Sequence, residues 1–198
     1  MARTKALDYE IKRTAILHSA AKLFADVGYD RSSMAQLAEV CGVSKALLYH
    51  YYSGKDALLY DVIETHLKSL CACVEEADRP DTSPEERLHL LIAALLDSYR
   101  EADHEHKVQI NEMKYLPPAQ QNALKDVERR LVTCFAAAVH GINPRLDIRL
   151  LKPVTMSLFG MLNWHYMWFR PNGPVSRDEY ATIASRLIID GARGLTCA

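Results

Sequence analysis

Long apolar runs are absent from this sequence. The longest, Leu90 to Leu96, has seven residues, whereas a helix that spans a membrane needs about 20. The first ten residues, MARTKALDYE, contain no apolar region of the kind that a secretory signal requires. We therefore expect a protein of the cytoplasm with no membrane partner.

Cysteine spacing suited to a zinc site or a disulfide framework is also missing. The five cysteines are an odd number, and no two of them form a C-x-x-C pair. Cys71 and Cys73 are two residues apart, so on a helix their side chains point about 200° away from each other. We expect small buried side chains, and the sequence predicts neither a cofactor nor a bound metal.

Neither sign of charge dominates the whole chain, whose formal net charge is −1. The distribution along the sequence is nevertheless uneven. Residues 1–55 contain eight Lys or Arg and five Asp or Glu, a net charge of +3, and the remaining residues carry a net charge of −4. Positive charge concentrated in the first quarter of the chain is the pattern expected of a segment that binds nucleic acid.

Strand-like alternation is absent, and helical spacing takes its place. Apolar residues from Ile16 to Val27 recur at helical intervals and stop at Gly28, which predicts a first helix from about Tyr9 with a left-handed C-cap. Further helices are predicted at 55–77, 84–101, 105–116, 119–140, 148–170 and 177–195. The fold class is therefore all-α, with a small N-terminal domain, 1–54, and a larger helical body, 55–198.

Two short helices are predicted inside the N-terminal domain. Ser33 and Gln36 have the spacing of a capping box, which starts a helix that ends near Val40 or Cys41. Gly42 then breaks the helix, and Ser44 is a favourable N-cap for a third helix over 45–52. Two short helices joined by a tight turn that contains glycine indicate a helix-turn-helix.

Four consecutive aromatic residues, Tyr49 to Tyr52, lie on the third helix within LLYHYYSGKD. Successive side chains on a helix point about 100° apart, so at least two of the four rings face outward. Leu48 and Tyr52 are four residues apart and are expected on the inner face. The other rings are then available to a partner.

The motif in SSMAQLAEVCGVSKALLYHYYSGKDALL resembles the TetR family of transcriptional regulators. The shared features are a Ser-capped helix, an A-x-x-x-G-V-S turn and the pattern L-Y-x-[HY]-[FY]-x-x-K, which residues 33–55 match nearly throughout. The resemblance implies a repressor, not an enzyme, that binds double-stranded operator DNA and is released by a small-molecule effector. It also implies a homodimer formed by residues 148–170 and 177–195, which reads a near-palindrome with half-sites roughly 34 Å apart.

The predicted contacts with DNA divide between bases and phosphates. A recognition helix places its N-terminal residues at base edges, so Lys45 is a candidate for guanine, and Ala46 and Leu47 for a thymine methyl. The resemblance assigns Tyr49, Tyr51 and Lys55 to phosphates of the DNA backbone. The predicted DNA-binding residues are Ser33, Ser44, Lys45, Ala46, Leu47, Tyr49, His50, Tyr51 and Lys55.

Other positions leave the operator sequence open. Ala35 lies where many members of the family have a polar residue that contacts a base, and Gly54 gives the loop before Lys55 no side chain. Arg3 and Lys5 form either a basic arm that follows a minor groove or a frayed, solvated terminus.

A second distinctive stretch, FGMLNWHYMWFRPNGP at 159–174, bears on the effector. Its ending, W-[FY]-R-P-x-G-P, resembles TetR-like regulators that respond to acyl-CoA thioesters from fatty-acid, aromatic-acid or sterol degradation. Both tryptophans lie on one helical face, where packing in a core or a dimer is the other interpretation. The predicted ligand-binding residues are Asn111, Met113, Tyr115, Phe159, Asn163, Trp164 and Trp168.

Two other functions compete with an acyl-CoA sensor. A multidrug-type sensor of lipophilic compounds would use a carboxylate and an aromatic ring, for which Glu112 and Trp164 are candidates. An all-α, metal-assisted enzyme would be built on His104, Glu105 and His106. The H-E-x-x-H, G-x-S-x-G and P-loop motifs are absent from the sequence, so we expect the histidine segment to be a solvated helix turn.

Overall fold

A computed structural model describes the backbone of residues 2–195 and the side chains of residues 7–195. Within that range the chain forms helices joined by turns and contains no strand, which confirms the predicted all-α class. The side chains of Arg3 and Lys5 lie outside the described residues. The α-helices are α1 (Ala2–Val27), α2 (Met34–Val40), α3 (Lys45–Tyr51), α4 (Lys55–Ala77), α5 (Pro84–Ser98), α6 (Asp103–Glu112), α7 (Pro118–Ile142), α8 (Ile148–Asn163), α9 (His165–Trp168) and α10 (Arg177–Gly194).

Helix α1 is longer than its apolar spacing predicts. It begins at Ala2 and not near Tyr9, so seven residues without apolar periodicity precede the predicted start. Its end is where the sequence predicts it: Gly28 follows with a φ of 94°, a left-handed conformation that favours glycine. Local sequence therefore decides the end of this helix.

The other predicted helices differ from the structure mainly in where they end. Helix α4 has the predicted bounds, whereas α5 ends three residues early at Ser98, and the predicted helix 105–116 becomes α6 followed by a 3₁₀ turn over Met113–Tyr115. The predicted single helix 148–170 is wrong. Trp164 is the C-cap of α8, with its N–H donating to the Gly160 carbonyl, and α9 contributes one further turn before the extended residue Phe169.

The described chain divides into two compact units. The first contains residues up to 67 together with 102–125, and the second contains 68–101 together with 126 onward. No helix in the described part of the chain is long and apolar enough to cross a membrane. The functional division at residue 54 stays a prediction.

Each unit has its own apolar core. In the first unit Ile16 and Phe24 of α1 are buried together with Leu37 of α2 and Leu48 of α3. In the second unit α5, α8 and α10 pack around a cluster in which the rings of Phe135 and Phe159 meet edge to face at 5.1 Å. Because Leu48 is buried in this core, the opposite face of α3 is left at the surface.

Candidate DNA-binding surface and effector-binding residues

Side-chain caps hold both short helices of the helix-turn-helix in place. Ser33 and Gln36 form the predicted capping box: the Ser33 hydroxyl accepts from the Gln36 N–H, and the Gln36 side chain accepts from the Ser33 N–H. Gly42 has a φ of 63° in the turn, and the Ser44 hydroxyl accepts from the Leu47 N–H at 3.1 Å. Each cap is worth about 1 kcal/mol, so both serines have a structural role whatever their contacts with DNA.

The two faces of α3 differ as predicted. Leu48 is fully buried, and Tyr52, the C-cap residue, is buried beside it, which confirms their place on the inner face. On the outer face the predicted DNA-binding side chains Lys45, Ala46, Tyr49 and His50 are exposed, and Leu47 and Tyr51 are half-buried. The role of these residues in DNA binding stays a prediction.

A partly buried polar network links the end of α3 to its neighbours. The Tyr52 hydroxyl donates to the Asp61 carboxylate of α4 at 2.7 Å, and Arg13 of α1 donates to the same carboxylate through Nε at 3.0 Å. Burial raises the pKa of Tyr52, and its hydrogen bond to the negative Asp61 raises it further. The hydroxyl therefore stays protonated and joins α1, α3 and α4 at one point.

The ammonium group of Lys55 makes hydrogen bonds within the protein. Its ammonium group donates to the carbonyls of Tyr29 and Ser32 at 2.8 and 2.9 Å and lies 4.2 Å from the centre of the Tyr29 ring. An ammonium group has three N–H donors, so one remains for a phosphate. The contact of Lys55 with DNA stays a prediction, and its contact with the α1–α2 loop is an additional role that the motif did not indicate.

Sequence reasoning missed Tyr9. Its ring stacks on Tyr51 with 4.6 Å between centroids and 17° between planes. Tyr9 is one helical turn before Arg13, so the two residues share the face of α1 that meets α3 and α4. The spacing of these two residues was visible in the sequence, but no apolar pattern drew attention to it.

Three of the predicted ligand-binding residues belong to the first unit. Asn111 is exposed, and its amide donates to the Lys107 carbonyl at 2.9 Å. Met113 and Tyr115 form the 3₁₀ turn, where the Tyr115 ring lies 5.3 Å from that of Tyr29. Their part in a pocket stays a prediction.

The other four belong to the second unit, in two different environments. Phe159 is buried, and the Asn163 amide oxygen accepts from the buried Tyr99 hydroxyl at 3.1 Å. Trp164 and Trp168 are instead 56% and 48% exposed. The structure thus places Phe159 and Asn163 in or beside the core, whereas both indole rings reach the surface.

The solvated helix turn expected around His104 is a wrong prediction. His106 and Gln109 of α6 are buried in the first unit, and the ring of His106 lies 5.8 Å from that of the buried His66 of α4. Burial, with a smaller contribution from His106, lowers the pKa of His66 to about 3. Glu105 accepts from His18 of α1 at 3.0 Å, so α6 contacts both α1 and α4 through polar side chains. Within residues 7–195 no three His, Cys, Asp or Glu side chains are grouped as metal ligands.

Two family models match the chain. The model described as "Bacterial regulatory proteins, tetR family" matches residues 16–62, and "Tetracyclin repressor-like, C-terminal domain" matches residues 81–192. The second match alone spans more than half of the sequence. The helix-turn-helix therefore lies inside the first matched segment, and the core of the second unit lies largely inside the second.

The chain is also similar to named regulators and solved structures. The transcriptional activator FasR of Mycolicibacterium smegmatis is 25% identical over 178 residues, 89% of this chain and 81% of its own. The solved structure of a TetR-family regulator from Bordetella parapertussis has a TM-score of 0.82 and 32% identity, and covers 94% of this chain and 98% of its own. AibR, solved with isovaleryl coenzyme A and operator DNA, has a TM-score of 0.74 and 24% identity over 93% of this chain and 97% of its own. The chain belongs to the TetR family and is a DNA-binding transcriptional regulator, not an enzyme.

Proposed function

We propose that the protein is a homodimeric repressor whose affinity for a near-palindromic operator is lowered by an acyl-CoA effector. The observation that carries the proposal is the outer face of α3. Among the described residues, the Lys45 ammonium group and the Tyr49 and Tyr51 hydroxyls make no hydrogen bond or ion pair within the chain. Three uncommitted donors on a helix that is capped and buried on its other side suit a DNA groove.

The donors fall into two classes by position. Lys45 is on the first turn of α3, where a side chain reaches base edges, so it is proposed to select guanine, with Ala46 and Leu47 beside it for a thymine methyl. Tyr49 and Tyr51 follow one turn later and are proposed to donate to phosphates on either side of the groove. Phosphate contacts position the protein, and base contacts provide its sequence preference.

A dimer is proposed because α8 and α10 leave an apolar stripe exposed. On α8 and its C-cap the exposed residues Met156, Gly160 and Trp164 are four apart, and Ile148 lies two turns earlier on the same face with Lys152 between; on α10 the exposed residues Ile183, Leu187 and Gly191 are four apart. A Cβ atom added to either glycine would meet no atom within 4 Å, so a second helix can approach closely. An apolar face of this kind on paired helices is typical of a two-fold protein interface.

The charge of the N-terminal segment also favours two copies. Affinity for DNA rises with the number of phosphates that are neutralised, and residues 1–55 carry a net charge of only +3. One copy is therefore expected to bind weakly. Two copies joined through α8 and α10 would contact two half-sites about one helical turn, roughly 34 Å, apart.

The effector proposal is supported by a sequence pattern in the second unit and by one structural neighbour. Residues 168–174 read WFRPNGP, the pattern that resembles TetR-like regulators of acyl-CoA thioesters. AibR, which shares the fold, was solved with an acyl-CoA and operator DNA together. An effector shifts DNA binding only by its difference in affinity for two conformations, typically 1–3 kcal/mol.

The proposed division of labour follows the chain. Residues 1–54 bind DNA, and residues 55–198 bind the effector and form the dimer. Helix α4 contributes residues to both compact units, so it is the proposed route by which effector binding alters the DNA-binding head. Because its partner is operator DNA, the protein is proposed to act in the cytoplasm.

The test is a set of DNA titrations with a matched panel of ligands. An operator is first selected from a random duplex pool, and its Kd is measured by fluorescence anisotropy with isovaleryl-CoA, a long-chain acyl-CoA, free CoA, the free acids and a lipophilic cation. We expect at least one thioester to raise the Kd for the operator about 5- to 150-fold, and free CoA and the free acids to leave it unchanged. A response to the cation alone would favour a multidrug-type sensor, and a reporter gene would show whether binding represses transcription.

A further inference from the structure

The first turns of α1 lie outside the segment that the family model matches. That match begins at residue 16, whereas α1 begins at Ala2. Tyr9 belongs to this additional segment, and its ring covers Tyr51, one of the two tyrosines proposed to contact phosphate. A side chain outside the matched motif is thus in direct contact with the proposed DNA-binding surface.

Tyr9 is held in place by the helix turn that follows it. Arg13, four residues later on the same face, pairs with Asp61 of α4, and Asp61 also accepts from Tyr52 at the end of α3. These contacts fix the face of α1 that carries Tyr9 relative to the last turn of α3. The stacked rings therefore lie beside a partly buried network that joins α1, α3 and α4.

Tyr51 needs such support if its hydroxyl is to reach one phosphate. The side chain is half-buried, and rotation about χ1 gives an aromatic residue up to three staggered positions. The ring of Tyr9 covers one face of Tyr51, and His50 meets it edge-on at 5.9 Å. Together these rings restrict the direction of a hydroxyl that makes no hydrogen bond within the described residues.

We infer that Tyr9 is a positioning residue for DNA binding: its ring orients Tyr51 so that the Tyr51 hydroxyl points at a backbone phosphate. The inference rests on the proposed contact of Tyr51 with DNA. Tyr9 acts through the Tyr51 ring, so its own hydroxyl is dispensable. Loss of the stack should weaken binding to every DNA sequence by a similar factor, because phosphate contacts carry no sequence information.

A double-mutant cycle tests the inference. Wild type, Tyr9→Ala, Tyr51→Phe and the double variant are titrated with a random-sequence duplex of about 30 base pairs at low salt, and thermal unfolding is recorded for each. Tyr9→Ala should raise the Kd about 2- to 10-fold, the range expected for one aromatic pair. Tyr9→Phe should bind like wild type, and Tyr9→Ala should have no further effect once Tyr51 is Phe.

Two further variants distinguish a loss of Tyr51 positioning from a loss of folding. Leu7→Ala alters an exposed side chain, 61% accessible, on the same end of α1 and should leave the Kd unchanged. If Tyr9→Ala unfolds the first unit, Tyr9→Leu keeps an apolar side chain there and enters the same cycle.

The outcomes distinguish this inference from the proposed function. Wild type that binds no duplex, or Tyr51→Phe with wild-type affinity, contradicts the proposed phosphate contact and the inference with it. If Tyr51→Phe weakens binding but Tyr9→Ala does not, the contact stands and the positioning role is refuted. The positioning role is also refuted if Tyr9→Ala raises the Kd by the same factor whether residue 51 is Tyr or Phe, because Tyr9 would then act independently of the Tyr51 hydroxyl.

Discussion

Replacing Leu187 by Ala tests the proposed dimer most simply. Leu187 lies on α10 in the exposed apolar stripe, and 59% of its surface is accessible in the single chain. The substitution removes three carbon atoms, each worth about 0.8 kcal/mol when fully buried, so covering the accessible fraction is worth about 1–1.5 kcal/mol. A two-fold interface contains the residue twice, which gives about 2–3 kcal/mol per dimer.

That free energy corresponds to a dimer Kd raised roughly 30- to 150-fold. Sedimentation equilibrium of wild type and variant over a range of concentrations measures it directly. The matched control is Leu7→Ala, a leucine that is 61% accessible but belongs to α1 of the first unit. An unchanged dimer Kd in Leu187→Ala, or an equal change in Leu7→Ala, would refute the assignment of α8 and α10 to the interface.

The remaining predictions concern DNA reading, the core and pH. Lys45→Ala should relax sequence preference in a selection from random duplexes, whereas Tyr49→Phe should weaken binding to all sequences alike. Leu48→Ala should lower the free energy of unfolding by about 2–5 kcal/mol in urea, because the residue is fully buried. His66 has a pKa of about 3 when folded, against 6.5 as a free side chain, so below pH 6.5 the unfolded chain binds more protons and stability falls as pH falls. The free energy of unfolding falls by at most about 1.4 kcal/mol per pH unit from this residue. His66→Phe should reduce that dependence on pH between pH 6.5 and 4.5. Replacing the exposed His140 by Gln should leave it unchanged.

Features decided by neighbouring residues in the sequence were predictable. The capping box at Ser33, the N-cap at Ser44 and the left-handed Gly28 each depend on a few adjacent groups, and all three are present as predicted. The bounds of α4 are also exact. The outward direction of the α3 side chains followed from helix geometry alone, since Leu48 and Tyr52 had to share one face.

Features decided by distant residues were not predictable from local patterns. The stack of Tyr9 on Tyr51 and the pair of Arg13 with Asp61 each join residues more than 40 positions apart in the sequence. His106 is on a polar segment whose composition suggests solvent, yet it is buried beside His66. The break at Trp164 falls inside a segment whose apolar residues recur at helical spacing, so no local pattern in the sequence marked it.

Native mass spectrometry of the protein with a selected duplex tests whether two copies of this chain bind one near-palindromic site. We expect complexes that contain two chains per duplex at saturation, on a sequence whose half-sites are centred about one helical turn, roughly 34 Å, apart. The same spectra of Leu187→Ala at low concentration should show fewer such complexes. Saturation at one chain per duplex, or selection that enriches no repeated half-site, would contradict the claim.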